Sequence, residues 1–137
     1  MTMIESSEVV ALAGESDLIL ARSKARSYAK GLPLGLVDET KLVTAVSELA
    51  RNILRYADRG KVIFEQVAAD QRAGVRVTFD DKGPGIADIS LAMTDGFSSK
   101  NGLGLGLPGS RRLVHDFEIT SQPGEGTRIV ITMWSSK

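Results

Sequence analysis

Apolar and polar residues are spaced along this chain in patterns that predict helices and strands in turn. A short apolar run at residues 8–13 predicts a first strand that Gly14 ends. Apolar residues then recur at helical spacing, with Ser16 placed to cap a first helix and Gly31 and Pro33 placed to end it. The apolar positions of this helix are Leu18, Ala21, Ala25 and Tyr28.

A second helical pattern begins after a turn at residues 33–35, with Asp38 as its predicted cap and an end near Ala57. Glu48 and Asn52 lie four residues apart and share a face away from the apolar stripe, so periodicity predicts that both side chains stay in water. The stripe itself comprises Leu42, Val46, Leu49, Ala50, Ile53 and Ala57.

Strand patterns follow in pairs. Residues 61–67 and 75–80 predict an antiparallel pair, because apolar and polar side chains alternate in the second segment. Residues 70–74 are predicted to form the loop between them. A final hairpin is predicted from residues 117–121 and 127–134.

The segment between the two strand pairs has a mixed pattern. Residues 87–93 predict a short helical piece, and residues 95–101 are small and polar, so residues 87–101 are interpreted as a mobile lid. Residues 105–115 predict a further helix. The order of elements therefore predicts an α+β fold, a two-layer α/β sandwich with a mixed, mostly antiparallel sheet and helices on one face.

Length and composition set limits on the function. The 137 residues suffice for one hydrophobic core and are too few for two ordinary domains, so residues 1–137 are predicted to form a single domain. Lys plus Arg equal Asp plus Glu at 17 each, which argues against nucleic acid or an anionic membrane as partner. The absence of cysteine excludes a thiolate zinc site and a cysteine nucleophile.

The beginning of the chain bears on localisation. Glu5 and Glu8 stand where a signal peptide would carry a basic flank and an apolar core. No apolar run approaches the roughly twenty residues that a membrane helix needs. We therefore expect a cytoplasmic protein.

A loop with glycine at every second position, Gly102, Gly104 and Gly106, carries the first candidate chemistry. Without Cβ atoms, successive N–H groups can converge on phosphates, and the helix that follows adds the positive end of its dipole. A tight packing loop is the alternative. No Gly-Lys-Ser/Thr follows, so this is not a Walker A loop.

Two further segments could complete such a site. Asp81, Gly83 and Gly85 form either an ordinary strand-to-loop turn or a turn whose carboxylate accepts from an adenine amino group. Glu48 and Asn52 form either a solvated pair or a base and an amide ligand for Mg²⁺. In the functional interpretation, the three segments make a minimal set for phosphoryl transfer.

These segments together resemble the GHKL ATPase and kinase superfamily, whose members share the Bergerat ATP-binding fold. Residues 48–52 resemble its N-box, residues 81–85 its first glycine box and residues 102–106 its second. Residues 124–127 resemble the strand that returns behind adenine. The resemblance covers about residues 35–134, and three boxes in order are far more specific than any one.

The resemblance implies ATP and Mg²⁺ as cofactors and a role for each matching residue. Glu48 would be the general base, Asn52 the Mg²⁺ ligand and Asp81 the adenine reader. Other predicted nucleotide-binding residues are Gly83, Gly85, Ile86, Gly102, Leu103, Gly104, Leu105, Gly106 and Thr127. Lys100 of the predicted lid either neutralises the γ-phosphate or is a solvated lysine.

Within the superfamily, residues 47–52 and 97–109 are most similar to the RsbT group of small serine/threonine kinases and switch proteins of bacterial stress signalling. This resemblance implies phosphorylation of STAS-domain partners in a stressosome and, on release, binding and activation of a PP2C-type phosphatase. Two other functions remain open: a non-catalytic nucleotide-binding switch or anti-sigma-type binding module, and a stand-alone ATPase.

Overall fold

A computed structural model describes residues 2–93 and 106–135 of the chain. The helices are α1 (Glu15–Lys30), α2 (Leu36–Asn52), α3 (Ile89–Ala92) and α4 (Leu107–Leu113), and a π-helical turn (Ile53–Ala57) continues α2. The strands are β1 (Met3–Leu12), β2 (Gly60–Ala69), β3 (Arg72–Asp81), β4 (Asp116–Gln122) and β5 (Gly126–Trp134). Among the helices described, none is long and apolar enough to cross a membrane.

The five strands form one sheet in the order β1-β2-β3-β5-β4. All four pairings recorded for the described strands are antiparallel. Strand β3 lies at the centre, where Phe79 stands opposite Val62 of β2 and Ile129 of β5. The predicted α+β fold with a mostly antiparallel sheet is therefore confirmed.

The hydrophobic core lies between the helices and one face of the sheet. Alternate strand residues point to this face, and they cluster with the inner faces of α1 and α2 because the period of two on a strand and 3.6 on a helix each produce one apolar side. The largest fully buried side chains include Phe64, Phe79, Leu12, Leu42, Leu49, Leu107, Ile131 and Met133.

The predicted cap of the first helix is wrong. Gly14, not Ser16, is the N-cap residue of α1. The carboxylate of Asp17, in the first turn, accepts from the backbone N–H groups of Ala13 at 2.8 Å and Gly14 at 3.2 Å. An acidic side chain at this position can reach back to amides that precede the helix, so no serine cap is needed.

The predicted start of the second helix is also wrong. Helix α2 begins at Leu36 after Gly35, whose φ of +86° favours glycine, and Asp38 lies within the first turn. There its carboxylate interacts with the positive end of the helix dipole instead of capping it. The predicted end near Ala57 is correct only because the π-helical turn extends the helix beyond Asn52.

The predicted loop at residues 70–74 is shorter in the structure. Only Asp70 and Gln71 lie between the strands, with φ of 51° and 65°, as in a two-residue hairpin turn. Residues 72–74 belong to β3, where Gly74 is buried and packs so closely that a Cβ would lie 2.8 Å from the ring of Trp134. The hairpin therefore takes its register from a tight turn.

Three other boundaries differ from prediction. Strand β1 begins at Met3, well before residue 8, because its first residues pair with the end of β2 although their side chains are exposed. The helical piece at residues 87–93 is limited to α3, where Asp88 caps by accepting from Leu91 N–H at 3.0 Å. Within the predicted helix 105–115, the structure has the shorter helix α4. The final hairpin is confirmed, with strands slightly longer than predicted.

Candidate functional site

A cleft of about 400 Å³ opens between the end of α2 and the adjoining ends of β3 and β5. Five predicted site residues lie on its walls: Asn52, Asp81, Gly85, Ile86 and Thr127. Apolar side chains supply most of the rest, including Leu49, Ile53, Tyr56, Phe79, Leu107 and Ile129. A largely apolar cleft with a few polar groups suits a planar base that needs both burial and orientation.

Asp81 is the last residue of β3 and is half-buried in this cleft. One of its carboxylate oxygens, Oδ1, accepts from the backbone N–H of Gly83 at 2.9 Å and of Thr127 at 3.3 Å. These two amides fix the plane of the carboxylate. Asp81 lines the cleft, and its second carboxylate oxygen, Oδ2, can accept from a ligand there.

The turn at residues 81–85, called the glycine turn below, and the residue that follows it are hydrogen-bonded to the hairpin between β4 and β5. Gly124 N–H donates to the carbonyl of Pro84 at 2.7 Å, and Ile86 N–H donates to Ser121 Oγ at 2.8 Å. Gly85 has a φ of +75°, and a Cβ there would collide with the carbonyl group of Gln122. Glycine is needed at this position both for its backbone conformation and for the close approach.

Gly126 on the hairpin makes a similar close approach from the other side. It has a φ of +95°, and a Cβ there would collide with the carbonyl oxygen of Asp81. The turn and the hairpin are therefore in backbone contact at two places, Gly85 with Gln122 and Asp81 with Gly126, so the position of the Asp81 carboxylate depends on the packing of these two segments.

Glu48 stands one helical turn before Asn52 on α2. Its Oε1 pairs with Arg51 Nη1 at 3.3 Å, and its Oε2 is 3.7 Å from where a Cβ would stand on Gly106. Gly106 has a φ of +62° and is the last residue of the predicted phosphate loop. The carboxylate of Glu48 therefore faces the described end of that loop.

The prediction that periodicity leaves both polar residues of α2 in water is wrong for Asn52, which is half-buried and lines the cleft. The side chain of Glu48 is 46% exposed, so it remains accessible at the rim. The wall opposite Asn52 comes from β3 and β5, which the periodicity of one helix does not reveal.

Some predicted residues do not fall on these walls. Gly83 donates its N–H group to Asp81, and a Cβ on Gly83 would lie 2.5 Å from the Cβ of Ala57, so the turn packs closely against the end of the π-helical turn. The predictions for Lys100, Gly102, Leu103, Gly104, Leu105 and most of the lid lie outside the described residues.

Sequence reasoning missed Tyr56 and Ser121. Tyr56 lines the cleft four residues after Asn52, and that helical spacing could have found it. Ser121 lies in β4 and is hydrogen-bonded to Ile86, Gly126 and Thr127. No motif includes it. Its contacts with Gly126 and Thr127 lie within the hairpin, and its contact with Ile86 arises only when the hairpin packs on the glycine turn.

A second, shallower concavity of about 590 Å³ lies on the opposite face of the sheet, around the ion pair of Glu65 and Arg76. None of the described site residues predicted from the sequence lines it. The cleft beside α2 is therefore the candidate functional site.

Residues 37–137 match the family described as histidine kinase-, DNA gyrase B- and HSP90-like ATPases. The chain belongs to this family. This membership confirms the predicted GHKL superfamily and implies the use of ATP. The cleft that Asn52 and Asp81 share thus lies in a GHKL ATPase domain.

Two kinds of relative match most of this GHKL chain. The serine/threonine-protein kinase RsbT of Bacillus subtilis (strain 168) is 48% identical over 120 residues, which cover 88% of this chain and 90% of the relative. The anti-sigma F factor of Caldanaerobacter subterraneus subsp. tengcongensis is 27% identical over 120 residues, which cover 83% of this chain and 82% of the relative. An anti-sigma F factor of Thermoanaerobacter sp. (strain X514) is 27% identical over 119 residues, with the same coverage.

A solved structure, the histidine kinase AdeS of Acinetobacter baumannii, superposes with a TM-score of 0.49 at 17% identity and covers 96% of this chain and 68% of that one.

Proposed function

We propose that this chain is an ATP- and Mg²⁺-dependent protein serine/threonine kinase that acts in a bacterial partner switch. The observation that carries the proposal is the shared cleft, in which Asp81 and Asn52 line the walls and Glu48 stands at the rim beside Gly106. The identity of 48% to RsbT supports the same reaction class.

The adenine end of the site would be read by Asp81. Oδ1 is engaged by two backbone amides, so Oδ2 is oriented to accept from the 6-amino group of adenine. Ile86 and Tyr56 would cover the faces of the base, since both line the cleft. A fixed acceptor in an apolar cleft gives orientation at little entropic cost.

The phosphate end would be served by Glu48. In the proposed step, the acceptor hydroxyl oxygen attacks the γ-phosphorus, the bond from that phosphorus to the β–γ bridging oxygen breaks, and ADP leaves. The hydroxyl proton passes to Glu48, whose Oε2 faces Gly106 while Oε1 is held by Arg51. Arg51 thereby keeps one carboxylate oxygen directed toward the phosphate loop.

The residues fit Mg²⁺ that arrives with the nucleotide. The described ranges contain no group of three His, Cys, Asp or Glu side chains that could hold a metal by themselves. Asn52 can offer one amide oxygen at the cleft, and Mg²⁺ takes its remaining ligands from phosphates and water. When bound, the ion would neutralise the charge that develops on the transferred phosphoryl group.

The partners follow from the resemblance to the RsbT group. We propose STAS-domain regulators of a stressosome as phospho-acceptors, and a PP2C-type phosphatase as the protein bound and activated on release. The anti-sigma F factors at 27% identity are named for an interaction with a sigma factor, so they support a function that includes binding of a regulatory protein. A purely non-catalytic nucleotide-binding module is the second candidate, and these same relatives favour it.

Phosphoryl transfer to a purified STAS-domain protein from γ-labelled ATP tests the proposal. Glu48→Ala is expected to abolish transfer while nucleotide binding persists, because it removes the proton acceptor and leaves the adenine end intact. Glu39→Ala is the matched control: it makes the same substitution at a carboxylate of the same helix that pairs with Lys30 at 3.7 Å, away from the cleft. Equal transfer by the wild type and Glu48→Ala would refute the assigned base.

Nucleotide binding gives an independent test of the site. Asp81→Asn retains Oδ1 as acceptor for Gly83 and Thr127 but replaces the second acceptor by an amide donor, so ATP affinity should fall about 10–100-fold. Titration with a fluorescent ATP analogue measures this. Wild-type binding of ATP and of STAS partners without any transfer would leave the binding module as the function.

A further inference from the structure

Ser121 stands at the centre of a hydrogen-bond network beneath the adenine end of the cleft. Its Oγ is 2.9 Å from the carbonyl oxygen of Gly126, 2.8 Å from Ile86 N and 2.8 Å from Thr127 Oγ1. Ser121 itself is half-buried on β4 and contacts residues on both β5 and the glycine turn.

The chemistry of these partners fixes the position of each proton. A serine hydroxyl has one proton to donate and two lone pairs that accept. The carbonyl of Gly126 can only accept and the N–H of Ile86 can only donate, so Ser121 donates to Gly126 and accepts from Ile86. The bond between Ser121 and Thr127 must then have Thr127 as its donor.

The donor and acceptor assignment of these hydrogen bonds determines which groups the cleft presents to a base. Thr127 lines the cleft, and with its proton committed to Ser121 its hydroxyl oxygen can only accept from a ligand. Asp81, the neighbouring polar group, presents a carboxylate, which also only accepts. Thr127 and Asp81 therefore both favour a base edge that carries an amino group.

We infer that Ser121 is a specificity-determining residue that keeps Thr127 as an acceptor and so selects a 6-amino purine over a 6-oxo purine. This inference rests on the proposed nucleotide site, with Asp81 and Thr127 at the base. Ser121 touches no base itself; it acts as a positioning residue through the Thr127 hydroxyl. A 6-oxo purine would place its carbonyl oxygen against two acceptors with no proton between them.

Inosine triphosphate is the probe, because it has a carbonyl in place of the 6-amino group of ATP and a proton on N1. Dissociation constants for ATP and for inosine triphosphate are measured by calorimetry for the full chain, without any protein acceptor. The wild type is expected to favour ATP by at least about tenfold, the factor that one net hydrogen bond contributes.

Ser121→Ala frees the Thr127 proton, which can then turn toward the 6-carbonyl. The preference for ATP over inosine triphosphate should fall by about tenfold. Ser121→Thr keeps a hydroxyl and should keep the preference. Thr120→Ala, an exposed neighbour on the same strand, is the matched control and should leave both constants unchanged.

A merely structural role for Ser121 would weaken both nucleotides equally and leave their ratio unchanged, and that result overturns the inference. The double variant adds a second test: in a Thr127→Val background, Ser121→Ala should not change the ratio further, because the hydroxyl it acts through is gone. A further fall in that background also overturns it. Wild-type protein that binds neither nucleotide refutes the nucleotide site and this inference with it, whereas a wild type that binds but does not phosphorylate leaves the inference standing.

Discussion

Two glycines near the cleft form a matched pair that separates backbone strain from steric contact. Gly85 and Gly124 have φ of +75° and +78°, both in the range that L side chains rarely adopt, so alanine is strained at either position. They differ in their surroundings. A Cβ on Gly124 would have nothing within 4 Å, whereas a Cβ on Gly85 would lie 2.7 Å from the carbonyl carbon of Gln122 and 3.2 Å from Cα of Pro123.

The magnitudes follow from this difference. A left-handed conformation costs an alanine about 1–2 kcal/mol, and the reduced entropy of the unfolded chain returns about 0.4–1 kcal/mol, so Gly124→Ala should lower the free energy of unfolding by about 1 kcal/mol. Gly85→Ala carries the same net cost, and overpacking against backbone adds about 1–3 kcal/mol. The two variants should therefore differ by about 2 kcal/mol.

Urea unfolding followed by circular dichroism measures both variants, and an unchanged m-value shows that a variant changes stability without changing the surface exposed on unfolding. Gly85→Ala should also weaken ATP binding, because displacing the hairpin moves Ser121 and Thr127 relative to Asp81. Equal losses of stability for Gly85→Ala and Gly124→Ala would show that the hairpin moves away from a Cβ on Gly85 at little cost. The inference that steric overlap with the backbone of Gln122 destabilises Gly85→Ala would then be refuted.

Two predictions concern charged pairs outside the cleft. Arg76→Ala should lower the free energy of unfolding by about 1–2 kcal/mol in urea titrations, because Glu65, only 12% exposed, then loses the partner 2.8 Å away; a loss near zero would contradict this. The hydrogen bond from Lys24 lowers the pKa of Glu8, so this carboxylate contributes stability above the unfolded pKa and loses it as pH falls through the lower folded pKa. In the Glu8→Gln variant the free energy of unfolding should depend less on pH below about pH 4, and an unchanged dependence on pH there would count against the pairing.

The amino-acid sequence by itself determined which segments form strands and helices here, because hydrophobic periodicity and turn residues are local. The alternation around Val77 and Phe79 predicted a half-buried strand, and the structure has this segment as β3 at the centre of the sheet. The spacing of Glu48 and Asn52 likewise placed both on one face of α2. Their chemistry and the order of the glycine segments then pointed to the family.

Only the tertiary structure decided what those residues face. Periodicity assigned Asn52 to water, because it reports the polar side of a helix and not what packs opposite, yet β3 and β5 form a wall of the cleft there. Ser121 contacts Ile86 across 35 residues of chain, and this contact exists because β5 inserts between β3 and β4 and brings the hairpin over the glycine turn. Contacts of that kind depend on strand order and close backbone approach, which local propensity does not contain.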